Sequence, residues 1–327
     1  MILPIDNGHY RNTCPPLTRP ADFHSFWDQT LGELADVEMT SQPLHSHRHT
    51  PTLTEQWFTF ESLGRLSITA YRLFWNDDQA RPLVIYTHGY EGRCEVMLDW
   101  ARRGLNVVGL DLRGMGTSRN TDLPLSPHGY VLSGIESEQT SILRGVVCDF
   151  IRAAEIALYS LAKKPRRLIF HGHSFGGAIS LMAAALTHYP DLLVSGVPTL
   201  GWAEGRRHLV RRGSGLEINR YLQRHPQQEQ GVMQTLAYFD TMHFADSLEC
   251  PSLIGVGAED LIVPAATVYA ITNHMHCPLE IRELPVSHSD QPAQRLWQRF
   301  EDEWLQLASN GIPADFGQAE GRFKHIV

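Results

Sequence analysis

The sequence has few cysteines and no motif that would bring them together. Five cysteines are spread over 327 residues, and no Cys-x-x-Cys spacing occurs. The pattern therefore signals neither a zinc knuckle nor a redox motif. Cysteines this scattered are typical of a reducing compartment, so we expect the protein in the cytoplasm.

Positive charge is scarce as well. The formal net charge is −8 at pH 7, which argues against nucleic acid as a ligand, because that affinity depends on Lys and Arg side chains that neutralise phosphates. The short basic group consists of Arg206, Arg207, Arg211 and Arg212. We interpret this group as a solvated helix face.

Long hydrophobic runs are also missing. No stretch of about 18 apolar residues occurs, so the sequence predicts no transmembrane helix and no membrane partner. Residues 1–16 lack a basic start followed by an apolar run. That absence argues against a secretory signal.

What the sequence does contain is an alternation of strands and helices. Two alternating segments between Trp57 and Phe74 flank Leu63-Gly64 and predict a β-hairpin. Short apolar runs predict buried strands at Leu83 to Tyr86, Val107 to Leu110, Leu168 to Phe170, Leu253 to Val256 and Leu279 to Leu284. Helical patterns lie between these runs, as in an α/β protein with a doubly wound, mostly parallel sheet.

We expect one α/β domain over residues 1–327, in which the hairpin extends the sheet at its N-terminal side. Within that domain we predict an N-terminal arm and helix over 1–50 and a helical insertion over approximately 202–246. The tail over 310–327 has no pattern that decides between order and disorder.

Alternating histidines occur at His45, His47 and His49. Alternate residues of a strand share a face, so the three imidazoles could bind a metal. No carboxylate or cysteine nearby completes a ligand set, and a polar loop or edge strand is the favoured interpretation. We therefore expect no metal and no cofactor.

The strongest chemical signal is Gly172-His173-Ser174-Phe175-Gly176. This Gly-x-Ser-x-Gly follows an apolar strand and precedes an alanine-rich helix, which is the context of a nucleophile elbow. The tight turn raises the serine above the sheet, at a helix N-terminus that favours a developing negative charge. Ser174 is the predicted nucleophile.

A serine hydroxyl needs a base to take its proton and an acid to orient that base, in the chain order serine, acid, histidine. Asp260 follows the strand that ends at Val256, and it is the predicted acid, with Glu259 as the alternative. His288 follows the last predicted strand and precedes the last helix. His288 is therefore the predicted general base, in preference to His274, His276 and His325.

An oxyanion hole needs two N–H donors held in place before the reaction. We predict the backbone N–H of Phe175, directly after the nucleophile, and that of Tyr90, in the loop after an earlier strand. The glycine-rich segment from Asp111 to Gly116 lacks the lysine of a phosphate loop. Arg113 is interpreted as bracing the site.

Together these residues resemble carbohydrate esterase family 7, the acetyl xylan esterases and cephalosporin C deacetylases. The resemblance runs from about Pro20 to Leu307. It is carried by Arg19-Pro20-Ala21-Asp22-Phe23, Thr87-His88-Gly89-Tyr90, Gly129-Tyr130, Glu217-Ile218, Leu236-Ala237-Tyr238-Phe239-Asp240 and Gly257-Ala258-Glu259-Asp260. It implies an α/β-hydrolase fold and a ring-like homo-oligomer, often a hexamer, that takes small substrates.

Three positions depart from the family pattern. Met115 stands where the family has glutamine in Arg-Gly-Gln, Phe175 replaces the glutamine after the nucleophile, and Ser289 replaces the glutamate after the histidine. All three changes leave the predicted triad intact and make the pocket more apolar. We expect Arg113, Met115 and His173 to border the substrate pocket.

The predicted function is a serine esterase that removes acetyl or another short acyl group from a small alcohol, such as an acetylated sugar or a natural product. An acyltransferase that uses the same triad is the first alternative, since a drier pocket favours transfer over hydrolysis. A non-catalytic binding protein on the same fold is the second.

Overall fold

The computed structural model describes residues 9–119, 123–287, 293–318 and 323–326. The side chains of residues 45–49, 293 and 294 lie outside this part, and so do the imidazoles of His45, His47 and His49 that were weighed as metal ligands. Among the described residues, no group of three or more His, Cys, Asp or Glu side chains could hold a metal ion. None of the helices in the same ranges is long and apolar enough to cross a membrane.

A ten-stranded sheet forms the centre of the molecule, in the order β1-β2-β3-β5-β4-β6-β7-β8-β9-β10. The strands are β1 Ser41–His49, β2 Leu53–Ser62, β3 Leu66–Trp75, β4 Leu83–Thr87, β5 Asn106–Leu110, β6 Leu168–His173, β7 Leu192–Gly196, β8 Ser252–Gly257, β9 Leu279–Leu284 and β10 Phe323–His325. The first three are antiparallel to their neighbours, and all pairs from β5 through β10 are parallel.

Nine helices in the described ranges accompany the sheet: α1 Phe23–Ala35, α2 Leu98–Arg102, α3 Ile142–Ser160, α4 Phe175–Thr187, α5 Ala203–Leu209, α6 Gly213–Arg224, α7 Glu229–Ala237, α8 Ala265–Thr272 and α9 Ala293–Asn310. They cover both faces of the sheet. Every residue of β4 and β5 is therefore buried, which explains the apolar runs Leu83 to Tyr86 and Val107 to Leu110.

Two hydrophobic cores lie on opposite faces of the sheet. Phe170 of β6 points into the larger core, which includes α1, α3, α4 and α8. Its neighbour Ile169 points into the smaller core, formed with α2 and α9. This division follows from the two-residue period of a strand.

The structure confirms the α/β-hydrolase architecture and most of the predicted elements. Strands β2 and β3 form the predicted hairpin, whose turn contains Gly64 at φ 74°. The sequence interpretation missed β7, a five-residue strand in the middle of the sheet. The tail, left open above, adds β10 beside β9. The division into one domain with an arm, an insertion and a tail stays a prediction.

One prediction about the insertion is wrong. The basic group was interpreted as a solvated helix face, yet Arg206 is only 5% exposed. Its guanidinium Nη2 donates to Thr199 Oγ1 at 3.0 Å and to Ser214 Oγ at 3.2 Å. Arg211 and Arg212 are exposed, as expected.

Candidate active site

Ser174 occupies a strained turn between β6 and α4. Its φ of 57° and ψ of −111° lie in a region that residues other than glycine rarely adopt. The Ser174 N–H donates to Gly196 O at 2.8 Å, and its carbonyl accepts the N–H of Thr199 at 3.2 Å. Contacts to the neighbouring strand β7 and to the loop that follows it therefore hold the turn in this conformation.

Two glycines make the turn possible. A Cβ on Gly172 would lie 2.1 Å from the carbonyl carbon of Gly176. A Cβ on Gly176 would lie 2.4 Å from the carbonyl oxygen of Thr87. No side chain fits at either position, which is the geometric reason for the Gly-x-Ser-x-Gly spacing.

Two backbone segments that could bind an oxyanion border the serine. Helix α4 begins at Phe175, so the Phe175 N–H has no acceptor within the helix. The loop after β4 passes on the other side, where a Cβ on Gly89 would lie 4.0 Å from Ser174 Cβ. Tyr90 is the next residue in that loop. The structure thus places both predicted donors beside the nucleophile turn.

The side chain of Tyr90 ties this loop to the helical insertion. Its hydroxyl donates to Glu217 Oε2 of α6 at 2.5 Å. Its ring packs against Phe175, with 5.7 Å between the ring centroids, and against Tyr130 at 6.0 Å. Burial, together with the adjacent Glu217 carboxylate, raises the pKa of Tyr90, and burial also raises the pKa of Glu217.

Asp260 lies in the turn after β8 and is 4% exposed. Its Oδ1 accepts the N–H groups of Ile262 at 2.8 Å and Val263 at 2.9 Å. These bonds fix the carboxylate within the turn. Glu259, the alternative acid, is exposed, so the structure favours Asp260.

His288 lies outside the described residues, but the chain that leads to it passes Asp260. The Ala258 N–H donates to Leu284 O at 2.8 Å, at the end of β9. A Cβ on Gly257 would lie 2.8 Å from Val286 O and 3.4 Å from Asp260 Oδ2. The chain therefore runs beside the predicted acid two residues before His288.

The other candidate histidines occupy different surroundings. His274 Nε2 lies 2.8 Å from Pro15 O of the N-terminal arm. His325 lies on β10, with Nδ1 3.6 Å from Glu283 Oε1. His276 is exposed. These positions leave His288 as the predicted base.

Arg113 supports the loops below the site. Its Nε and Nη2 bind Asp149 at 2.9 and 2.6 Å, and its own N–H donates to Asp149 Oδ2 at 3.1 Å. Gly145 leaves room for the guanidinium, since a Cβ there would lie 2.1 Å from Arg113 Nη1. Met115 is 4% exposed and belongs to the larger core. Both side chains are thus buried supports of these loops, and their place at the substrate pocket stays a prediction.

His88 fixes the loop that carries Tyr90. Its Nε2 lies 3.3 Å from the N–H of Leu112, so Nε2 is the acceptor and Nδ1 carries the proton. Nδ1–H then donates to Gly89 O at 2.8 Å. Burial lowers the pKa of His88, which keeps this neutral arrangement.

A cavity of about 570 Å³ lies beside the nucleophile turn, bordered at one end by Gly89 and His173. Three tryptophans from distant parts of the chain form its walls: Trp100, Trp297 and Trp304. The ring of Trp297 meets His173 edge to face at 4.6 Å. Of the three predicted pocket residues, His173 lines this cavity. Trp297 and Trp304 of α9 were not among the predicted pocket residues.

Charged side chains also line the cavity, namely Arg93, Glu95 and Glu301. Burial raises the pKa of Glu301, while a hydrogen bond from Trp100 opposes the rise. The cavity therefore combines flat aromatic surfaces with groups that can donate or accept hydrogen bonds. Such a lining suits a ligand that carries both apolar faces and hydroxyl groups.

Comparison with known proteins gives concordant matches. The family model described as acetyl xylan esterase (AXE1) matches residues 4–305. Acetyl esterase Axe7A of Xylanibacter ruminicola is 29% identical over 182 residues, which is 55% of this chain. The alignment spans only 38% of that relative.

Two solved structures share the fold over nearly their whole length. The acetyl xylan esterase from Paenibacillus sp. R4 has a TM-score of 0.82 and 23% identity, and the match covers 91% of this chain and 99% of that one. Acetyl xylan esterase 1 from Thermoanaerobacterium sp. JW/SL YS485 has a TM-score of 0.84 and 22% identity, with 93% and 98% covered.

Proposed function

This chain belongs to the acetyl xylan esterase family, and we propose that it hydrolyses acetyl or other short acyl esters of a small alcohol through an acyl-enzyme. The observation that carries the proposal is the strained turn at Ser174. In this conformation, with φ at 57°, Ser174 lies between the loop that carries Tyr90 and the first N–H of α4. Backbone strain of this kind is found mainly at functional sites.

In the proposed reaction the Ser174 hydroxyl oxygen attacks the ester carbonyl carbon while His288 takes the hydroxyl proton. The N–H groups of Tyr90 and Phe175 stabilise the negative oxygen of the tetrahedral intermediate. His288 then gives its proton to the leaving alcohol. Water, activated in the same way, releases the carboxylic acid and restores the serine. Asp260 orients the histidine and stabilises its charged form.

The aromatic cavity is the proposed site for the alcohol part of the ester. Its lining includes Gly89 and His173, which are next to the nucleophile turn. Its tryptophan faces and its charged side chains match the two kinds of surface that a sugar or a hydroxylated natural product presents. The matched relatives named above are acetyl and acetyl xylan esterases, which makes an acetylated sugar the first substrate to try.

The reaction as proposed needs only the side chains and backbone N–H groups of this chain, together with water. We further propose a cytoplasmic homo-oligomer, a hexamer by family resemblance, which sedimentation of the purified protein and cell fractionation would test. The acyltransferase and binding-protein alternatives gain no support from the comparisons.

The experiment that tests the proposal compares p-nitrophenyl acetate, butyrate and octanoate as substrates of the wild type and of Ser174→Ala. We expect acetate to be turned over fastest and the substitution to abolish turnover. A preference for octanoate would contradict the short-chain assignment. Transfer of the acyl group to an added alcohol in place of water would contradict hydrolysis, and a folded protein without any turnover would contradict both.

A further inference from the structure

A second, much smaller cavity lies inside the helical insertion, among α5, α6 and α7. Its volume is about 20 Å³, room for one water molecule or one monatomic ion. Apolar side chains such as Leu200, Ile218 and Phe239 form most of its wall. The polar part of the wall comes from Arg206, Arg207 and Asn219.

Both arginines present an unused donor here. Within the described part of the chain, Nε of Arg206 and Nε of Arg207 are buried and have no hydrogen-bond partner. The other contacts of Arg206 are to the neutral oxygens of Thr199 and Ser214. Arg207 binds Glu229 through Nη1, which leaves its Nε unpaired. A buried donor left unpaired destabilises the folded protein, and more strongly so when the group is charged.

The charge of Arg206 is also poorly compensated. No Asp or Glu stands among the described residues that line the cavity. Asp240 is the carboxylate that acts on Arg206, but its oxygens already accept the N–H groups of Trp202, Ala203 and Met242. Burial lowers the pKa of Arg206 to about 10, which reflects this incomplete compensation.

We propose that this cavity binds a single halide ion, chloride under cellular conditions, held between the Nε–H groups of Arg206 and Arg207. The two unpaired donors belong to cations and line a space of monatomic size. A water molecule would accept both hydrogen bonds but would leave the positive charge uncompensated. A carboxylate or phosphate is too large for the cavity.

The site connects to the nucleophile through one residue. Arg206 Nη2 donates to Thr199 Oγ1 at 3.0 Å, and the Thr199 N–H donates to Ser174 O at 3.2 Å. An ion beside Arg206 would therefore order the insertion and the turn that presents Ser174. The site itself is independent of the proposed esterase reaction, so it can be tested without substrate.

The direct test is a crystal of the wild-type protein grown or soaked in sodium bromide, with diffraction recorded at the bromine absorption edge. We expect an anomalous peak within hydrogen-bonding distance of both Nε atoms. A water molecule in the cavity, without an anomalous peak at high bromide concentration, would overturn the proposal.

A second test measures thermal unfolding in sodium chloride against sodium gluconate at equal ionic strength. We expect chloride to raise the Tm of the wild type by about 2 °C with saturation, because a ligand that binds only the folded state stabilises it. Arg207→Met should abolish the chloride-specific rise. Arg212→Met, which removes an exposed charge from the same segment, should retain it. Equal Tm values in chloride and gluconate for the wild type would contradict the site.

Discussion

The hydroxyl oxygen of Tyr90 lies 2.5 Å from Oε2 of Glu217, and this contact joins the predicted oxyanion loop to the helical insertion. The Glu217 carboxylate packs closely against Gly129. This glycine has φ 139°, and a Cβ on it would lie 2.2 Å from the same Glu217 oxygen. The segment Glu217-Ile218 was among those that carry the family resemblance, but no sequence pattern assigned Glu217 a role at the site. Its position makes it a candidate positioning residue, which acts on the reaction through Tyr90.

We therefore expect Glu217→Ala to lower kcat on p-nitrophenyl acetate by about tenfold and to leave KM nearly unchanged, since a misplaced donor weakens binding of the transition state only. Glu217→Gln keeps an acceptor for the Tyr90 hydroxyl and should restore most of the rate. Glu204→Gln, an exposed change on α5, is the control. If Glu217→Ala lowered the Tm without lowering kcat, the role of Glu217 would be purely structural.

The two glycines of the nucleophile turn should tolerate no side chain. Gly172→Ala places a methyl group 2.1 Å from backbone, and we expect destabilisation of about 3 kcal/mol together with loss of esterase activity. Gly32→Ala in α1 is the matched control, because a Cβ there meets nothing within 4 Å. That change should stabilise the protein by up to about 1 kcal/mol. Chemical denaturation measures the free energy of unfolding of both variants. An active and stable Gly172→Ala variant would contradict the tight geometry of the turn.

Asp260 and Glu259 differ in burial, and the difference predicts which one is the acid. Asp260→Asn should lower kcat by about ten-thousand-fold, the loss known when a triad aspartate becomes an amide. Glu259→Gln should leave kcat within about twofold, because the side chain is exposed. Steady-state hydrolysis of p-nitrophenyl acetate measures both variants. The reverse ranking would assign the role to Glu259.

Stability should fall at acid pH because of His171. Its ring packs against both Trp100 and Trp304, and burial lowers its pKa from 6.5 to about 4. The unfolded chain binds a proton on this histidine below pH 6.5, whereas the folded protein binds it only near pH 4. Folding stability is therefore lost as the pH falls through this window, by about 3 kcal/mol in total.

The variant His171→Phe keeps an aromatic ring in place and removes the titration. Urea denaturation at pH 7 and at pH 4.5 should show a smaller loss of stability in the variant than in the wild type. The same loss in both proteins would assign the acid sensitivity to another group.

The sequence predicted the features that depend on local pattern. The apolar strand, the small residues and the helix around Ser174 are contiguous, so their geometry follows from the motif. The order of strands also led to Asp260, which lies in the turn after β8, and to His288, and the catalytic roles of both stay predictions. The hairpin turn at Gly64 follows from its flanking alternation.

Features that depend on distant contacts could not be predicted. The ring centroids of Trp100 and Trp304 lie 4.9 Å apart, although the two residues are 204 positions apart in the sequence. Arg206 lies in a basic segment typical of a solvated surface, and its burial depends on distant contacts, such as its hydrogen bonds to Thr199 and Ser214. Tertiary packing determines both the Trp100–Trp304 contact and the burial of Arg206, and neither feature produces a local pattern in the sequence.

The measurement that tests the central claim most directly is labelling of the wild-type protein with a fluorophosphonate, followed by peptide mass spectrometry. The serine oxygen displaces fluoride only when a base activates it, so the label reports the working nucleophile. We predict one label per chain, on Ser174, with esterase activity lost in step, and no label in Ser174→Ala. Labelling at another residue, or full activity after Ser174 is labelled, would contradict the account.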